Sequence, residues 1–236
     1  MKNNLLLAIS QLTRFNLAAG SGAKDCPPVM LVAVRLLLGI IYALAALLIL
    51  WIVKQPLVGA ILATLAVSAL RGFLTNWRDR LLPLRLAGLF FPSLKTVARD
   101  PVEHQFQMAA LNWVMLARPL GLFFLLLCGC WYWLVPVAGL AAAFAEELCA
   151  PEDAKQGGDW RPWALAVGVS LLFFLLASKV SAVFANHLLT GLFVCIITWL
   201  LASWLKRRMT PLCERALATY CGELVVIIML LLGIAF

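Results

Sequence analysis

Charged residues are scarce in this sequence. Asp, Glu, Lys and Arg make up only 13% of the 236 residues, whereas hydrophobic residues make up 64%. A soluble domain carries about 25% charged residues, because its core needs a polar surface around it. The composition therefore excludes an ordinary soluble protein, since lipid is the solvent that accepts so apolar a surface. We predict an all-α, polytopic transmembrane helical bundle whose first partner is the lipid bilayer.

Catalytic sequence motifs are also missing. The chain has no Walker loop, no HExxH, no GxSxG and no paired carboxylates at helical spacing inside an apolar run. Its seven cysteines are scattered, and Cys128 and Cys130 are separated by one residue instead of the two to four of a zinc knuckle. We therefore predict no metal cluster and no disulfide, and no cofactor is evident.

A surplus of positive charge remains, with 19 Lys and Arg against 11 Asp and Glu. In a membrane protein such a surplus is first the mark of cytoplasmic loops. We therefore predict no nucleic-acid partner.

Long apolar runs define the organisation, which we treat as a single integral membrane domain over residues 1–236. At roughly 20 residues per span, the runs provide about seven spans, or six if the last is only half inserted. The predicted spans are 36–53, 57–70, two within 106–148 with a turn near Trp131–Trp133, 163–178, 180–205 and 222–236. Three other segments are predicted outside the hydrocarbon: an interfacial helix at 3–17, a basic cytoplasmic amphipathic segment at 71–105 and a polar loop at 146–162.

The basic residues predict the orientation of these spans. Segment 71–105 and the Lys206–Arg208 cluster are rich in Lys and Arg, so both are expected in the cytoplasm. An even number of spans then separates them, which places the N-terminus inside and the C-terminus outside. We expect a multi-pass protein of a bacterial inner membrane.

Arg118 is the most informative single residue, because it lies in the middle of an apolar run. An intramembrane Arg costs at least about 2.5 kcal/mol, so it is expected to face the bundle interior. Phosphate or a carboxylate is its natural partner. Two interpretations stay open: Arg118 binds an anionic ligand, or it reaches an interface or pairs with an internal acid such as Glu223.

Several short segments, taken in order, are similar to those of one enzyme family. They are the opening helix ending in Thr13-Arg14, Arg71–Leu74, Arg99-Asp100, Arg118, Ala150–Glu152, Leu205–Arg208 and Gly222–Leu224. On these segments the chain resembles cobalamin synthase, the membrane enzyme adenosylcobinamide-GDP ribazoletransferase. In that family Arg118 stands where an intramembrane Lys is common.

The family's acidic signature is degenerate in this chain. Its run His-x-Asp-Gly-x-x-Asp-x-x-Asp-Gly carries carboxylates thought to hold magnesium, but here the three acids fall on Asn76, Arg80 and Pro83. Asp79 lies one position off the pattern, and only Glu214 is available to replace an acid of the family's C-terminal element. The resemblance therefore implies a catalytically impaired relative, with magnesium relevant only if residual activity exists.

The resemblance implies a role in late corrinoid assembly, in which the protein joins or binds nucleotide-activated cobinamide and α-ribazole. The candidates for phosphate binding are Arg71, Arg78, Arg80, Arg99 and Arg118. Further polar candidates are Asn76, Asp79, Asp100, Glu214 and Glu223, and no catalytic residue is identified. Expected partners are a corrinoid ligand and a homo- or hetero-oligomer with other corrinoid-assembly proteins. The alternative is a non-catalytic scaffold or binding protein that retains only the fold, and a transporter is disfavoured because no internal repeat is visible.

Overall fold

The computed structural model describes residues 2–13, 26–75, 82, 85–86, 101–150, 159–178, 184–208 and 214–235. Within these ranges the chain forms α-helices and no strand, so the predicted all-α bundle is confirmed. The helices are α1 (Lys2–Leu12), α2 (Pro28–Ile52), α3 (Pro56–Leu74), α4 (Pro101–Leu127), α5 (Leu134–Cys149), α6 (Arg161–Ser178), α7 (Phe184–Arg208) and α8 (Arg215–Ala235). A 3-10 turn, Trp131–Trp133, joins α4 to α5 where the aromatic cluster predicted a turn.

Six of the described helices are long and apolar enough to cross a bilayer: α2, α3, α4, α5 with its preceding 3-10 turn, α7 and α8. The 18 residues of α6 extend about 27 Å, close to the roughly 30 Å of a hydrocarbon layer. The indole nitrogen of Trp163 lies 3.4 Å from Glu147 near one end of α5. The ring of Phe174 packs 5.9 Å from that of Trp133 at the other end. Helix α6 therefore runs antiparallel along α5, and its crossing of the membrane as a seventh span remains a prediction.

The last span differs from its prediction. It was expected to begin at Gly222 and to be short, whereas α8 begins at Arg215 and has 21 residues, about 31 Å. Thr219 and Glu223 interrupt the hydropathy of this segment, but both side chains are buried in the bundle instead of facing lipid. Helix α8 is therefore long and apolar enough to cross a bilayer, and its full insertion remains a prediction.

Helix α3 also extends further than its apolar run. It continues past Arg71 to Leu74, and Arg71 is only 6% exposed. Arg71 thus lies inside the bundle instead of in the surface segment predicted at 71–105. Most of that segment lies outside the described residues, and its last residues belong to α4.

Helix α5 is the centre of the bundle, and every residue from Leu134 to Glu146 is buried. Its small residues let neighbouring helices approach closely, as expected for helix packing in lipid. A Cβ atom on Gly222 of α8 would lie 3.0 Å from the Cα of Ala141, and one on Gly39 of α2 would lie 2.9 Å from the Cβ of Ala138. These contacts bring both α2 and α8 close to the α5 backbone, and large apolar side chains cover the outer faces.

One end of the bundle collects the positive charge. Here α2, α4, α6 and α8 begin and α3, α5 and α7 end, as contacts between Glu147 and Lys206 and between Glu146 and Arg215 demonstrate. We call this the basic end. At the opposite end, the described residues carry Lys54 in the α2–α3 connection. The positive-inside rule predicts that the basic end faces the cytoplasm.

Helix α1 packs against the basic end of α2. Ala8 is fully buried, and the thiol of Cys26 donates a hydrogen bond to the backbone oxygen of Asn4 over 3.5 Å. Burial raises the pKa of the Cys26 thiol, so the proton that makes this contact is retained at neutral pH. The position of α1 in the headgroup layer remains a prediction.

Candidate functional site: a charge network inside the bundle

Three charged side chains from three helices meet inside the bundle. The Nη1 atom of Arg71 lies 2.6 Å from both carboxylate oxygens of Glu223. The Nε atom of Arg118 lies 3.2 Å from Oε2 of the same carboxylate. The exposed fractions of the three side chains are 7%, 5% and 14% for Arg71, Glu223 and Arg118. We call these residues the buried triad, and it ties α3, α4 and α8 together.

The local sequence of α8 explains how Glu223 reaches the buried triad. Glu223 lies eight residues after the start of α8, about 12 Å along the axis of this 21-residue helix and therefore away from both of its ends. Gly222, the residue before it, has no side chain to hold α8 away from the backbone of Ala141. The glycine that permits close packing and the acid of the buried triad are thus adjacent residues.

Within the triad, two guanidinium groups share one carboxylate. Arg118 is also stabilised by the ring of Tyr220, whose centroid lies 5.8 Å from its guanidinium carbon. The buried hydroxyl of Tyr42, which lines the same cavity, has no hydrogen-bond partner in the described part of the chain. The local environment therefore favours an anion or a polar group over a further cation.

The space at the triad is nevertheless small. Its cavity, lined by Tyr42, Arg71, Arg118 and Glu223, measures about 20 Å³. One water molecule needs at least roughly 10–15 Å³. The triad thus holds at most a water in this conformation, and its main physical effect is to fix three helices relative to one another.

A line of polar side chains connects the triad to the basic end. On α8, Arg215, Thr219 and Glu223 recur every four residues and share one helix face. On α3, the hydroxyl of Thr75 donates a 2.9 Å hydrogen bond to the backbone oxygen of Arg71, one turn earlier. The Thr219 hydroxyl likewise donates to the Arg215 backbone oxygen over 2.8 Å. Both threonines are satisfied within their own helices, so they add polarity along this line without needing a second partner.

The line opens into a cavity of about 280 Å³ at the basic end. Helices α1, α2, α3 and α8 surround it, and Thr75 at the end of α3 belongs to its wall. Its lining residues are Gln11, Leu12, Leu31, Arg35, Thr75, Arg215 and Ala216. We call it the Arg35 cavity.

A second group of charged residues, which shares Arg215 with the Arg35 cavity, lies at the same end. Glu146 pairs with Arg215 of α8, with Nε to Oε1 at 2.8 Å. Glu147 pairs with Lys206 of α7 at 3.0 Å and accepts a hydrogen bond from Trp163 of α6. These two acids at the end of α5 therefore fasten the three following helices.

The structure brings together three of the ten residues that the sequence selected. Arg71, Arg118 and Glu223 form the buried triad, so of the two interpretations of Arg118 the pairing with Glu223 is the observed one. Glu214 lies apart from them and forms an exposed pair with Arg85. The remaining six candidates lie outside the described residues: Asn76, Arg78, Asp79, Arg80, Arg99 and Asp100.

Sequence reasoning missed the residues of the Arg35 cavity. Arg35 marks the start of an apolar run, where a basic residue usually indicates an interfacial anchor. The available signal was helical spacing: Arg35 and Tyr42 lie seven residues apart on one face of α2, and Arg215 and Glu223 lie eight apart on one face of α8. The sequence around Gln11 and Thr75 shows no comparable spacing of polar residues.

Among the described residues, no three His, Cys, Asp or Glu side chains lie close enough to hold a metal ion. No protein-family model matches the chain, and no curated protein or solved structure is significantly similar to it.

Proposed function

We propose that this protein is a multi-pass inner membrane protein of late corrinoid assembly, which binds nucleotide-activated cobinamide through its phosphates and is impaired in transfer chemistry. One observation supports this proposal more than any other. Arg71, Arg118 and Glu223 belong to three distant segments that resemble cobalamin synthase, and they meet in one cluster. A resemblance that was only accidental would not require these positions to converge.

The charges on this side of the bundle suit a phosphate-bearing ligand. Four arginines lie on this side, and the acids seen to pair with them among the described residues are Glu223 with Arg71 and Arg118, and Glu146 with Arg215. Guanidinium groups bind phosphate oxygens through short, charge-assisted hydrogen bonds. The guanidinium groups at the basic end would neutralise part of the diphosphate charge of the ligand, while a corrin ring, too large for the Arg35 cavity, would remain outside it.

Transfer chemistry is expected to be weak. The family's magnesium-binding acids fall on Asn76, Arg80 and Pro83, an amide, a cation and an imino acid. These residues do not fit a divalent cation, which prefers several carboxylate oxygens. We therefore assign no reaction step to magnesium in this chain.

Calorimetric titration of the detergent-solubilised protein tests the binding proposal. Adenosylcobinamide-GDP and adenosylcobinamide without the nucleotide are the matched ligands, because they differ only in the phosphate-linked part. The proposal predicts saturable heat for the first ligand and at least about tenfold weaker binding for the second. Equal affinities, or no heat from either ligand with folded protein, would overturn it.

Growth and turnover test the claim of impairment. A cobalamin-synthase deletion strain that expresses this chain is expected to remain dependent on added cobalamin. Transferase turnover of the purified protein is expected to stay near background with or without magnesium. Full rescue of growth would instead identify a competent enzyme.

The second candidate is a scaffold that retains only the fold and contacts other corrinoid-assembly proteins. The small volume at the triad favours it, because about 20 Å³ leaves no room for a ligand there. A scaffold predicts co-purification with such partners and no heat with either corrinoid, so the same titration separates the two candidates.

A further inference from the structure

The wall of the Arg35 cavity contains a buried cation, Arg35, for which the described residues provide no hydrogen-bond acceptor. Arg35 is only 8% exposed. It forms neither a hydrogen bond nor a salt bridge with any residue that the structure describes, and Glu146 acts on it only at longer range. A buried guanidinium without a hydrogen-bonding anion is costly, so this arrangement indicates a missing acceptor.

The other residues of the cavity wall indicate which chemical groups the missing acceptor carries. Arg215 offers a second guanidinium, one side of which is held by Glu146 at 2.8 Å. The side-chain oxygen of Gln11 is buried in the wall and has no donor within the described residues. The rest of the wall consists of Thr75, whose hydroxyl is bonded within its own helix, and the apolar Leu12, Leu31 and Ala216, which favour a ligand with one anionic group over a more highly charged one.

We infer that the Arg35 cavity is a binding site for a phosphate group that carries a hydrogen-bond donor beside it. Two phosphate oxygens accept from Arg35 and Arg215, and a neighbouring hydroxyl or ammonium donates to Gln11. The cavity of about 280 Å³ lies just below the roughly 300 Å³ at which pockets for drug-sized ligands begin, so it fits one headgroup-sized molecule. This inference goes beyond the corrinoid proposal, because the site is defined by a phosphate chemistry that needs no corrin ring.

Two sources supply this chemistry: the headgroup of a membrane phospholipid and a soluble phosphate ester. The experiment separates them. Protein in detergent is mixed with equal amounts of phosphatidylglycerol, phosphatidylethanolamine and phosphatidylcholine, and retained lipid is measured by native mass spectrometry. Glycerol 3-phosphate and inorganic phosphate are titrated in parallel by calorimetry.

The wild-type protein is expected to retain phosphatidylglycerol or phosphatidylethanolamine over phosphatidylcholine, whose headgroup has no donor for Gln11, or to bind glycerol 3-phosphate. Arg35→Gln is expected to weaken that binding by about tenfold to 100-fold, the range for loss of one charge-assisted hydrogen bond. Arg161→Gln is the matched control, since Arg161 lies at the same end, is 74% exposed and does not line the cavity. The control is expected to bind as the wild type does.

A second variant keeps the test decisive if Arg35→Gln does not fold. Ala216→Phe fills the cavity while both guanidinium groups remain, so it is expected to abolish binding. Arg35→Lys, which keeps the charge, is expected to retain part of the binding.

The inference is wrong if the wild type binds none of these probes, or if both Arg35→Gln and Ala216→Phe bind as tightly as the wild type. The corrinoid proposal uses the same two arginines but is tested with other ligands, so binding of a phosphate probe without any corrinoid binding would support this inference and overturn only that proposal.

Discussion

Two glutamates near the start of α8 each pair with arginine, yet their surroundings differ completely. Glu214 and its partner Arg85 have 46% and 52% exposed side chains. Glu223, nine residues later, has a 5% exposed side chain and binds two guanidinium groups. Exposed pairs contribute about 0–1 kcal/mol, whereas removing one partner of a buried pair costs about 3–5 kcal/mol. The comparison teaches that burial, not the type of residue, decides which pair holds the bundle together.

The largest effect is expected from Glu223→Gln. It removes the anion between two buried guanidinium groups, so the free energy of unfolding should fall by about 3–5 kcal/mol. The measurement is an SDS-unfolding titration in mixed micelles followed by tryptophan fluorescence. Glu214→Gln is the control, with an expected loss below about 1 kcal/mol. Similar losses for the two variants would contradict the distinction.

The next largest effect concerns the close packing beside Glu223. A methyl group on Gly222 would meet the Cα of Ala141 at 3.0 Å and the Phe144 ring at 3.0 Å. Gly222→Ala should therefore destabilise the protein by about 1–3 kcal/mol through overpacking. Gly168→Ala is the matched control, because nothing lies within 4 Å of its added methyl group. It should be neutral or more stable by up to about 1 kcal/mol, from helix propensity. Equal losses from both substitutions would show that α8 does not press against α5.

Removing Arg118 should cost less than removing Glu223. Arg118→Met deletes the charge-assisted contact to Glu223, and such a contact contributes about 1.5–3 kcal/mol. It also removes an intramembrane cation that costs at least about 2.5 kcal/mol. The two effects oppose each other and the Arg71–Glu223 pair remains, so the net change should stay within about 1 kcal/mol in the same titration. A loss as large as that of Glu223→Gln would contradict this balance.

The smallest effect is expected at Tyr42. Its buried hydroxyl has no partner among the described residues, so Tyr42→Phe should leave stability unchanged or raise it by up to about 1 kcal/mol. Tyr220→Phe is the control, because the Tyr220 hydroxyl donates to the backbone oxygen of Val114 over 3.3 Å. That variant should lose about 0.5–1.5 kcal/mol. A clear loss at Tyr42 would indicate a bound water or ligand group at its hydroxyl.

Hydropathy predicted the helices well because lipid imposes one simple requirement, long apolar runs. The α2–α3 hairpin and the aromatic turn at Trp131–Trp133 follow from it directly. The same signal failed at the start of α8, where Thr219 and Glu223 lower the hydropathy of residues that are in fact buried. Hydropathy records what a residue would cost in lipid and does not record whether the bundle supplies a partner.

The candidate site was predictable only in part. An isolated Arg118 in an apolar run requires an inward partner, and Glu223 is one of the few acids in such a run that the sequence offers. The Arg35 cavity was not predictable, because its wall comes from four helices whose relative rotation no local pattern determines. A basic residue at the start of an apolar run is normally an interfacial anchor, and only the fold distinguishes that case from a buried cation.

A pair of double-mutant cycles tests the central claim most directly. One cycle combines Arg71→Met with Glu223→Gln, and the other combines Arg85→Met with Glu214→Gln, all measured by SDS unfolding. The coupling energy isolates the pairwise interaction from the cost of each substitution. We expect a coupling energy of about 2 kcal/mol or more for the buried pair and of less than about 1 kcal/mol for the exposed pair. Equal coupling energies, or a stronger exposed pair, would contradict the claim that a buried charge network holds this bundle together.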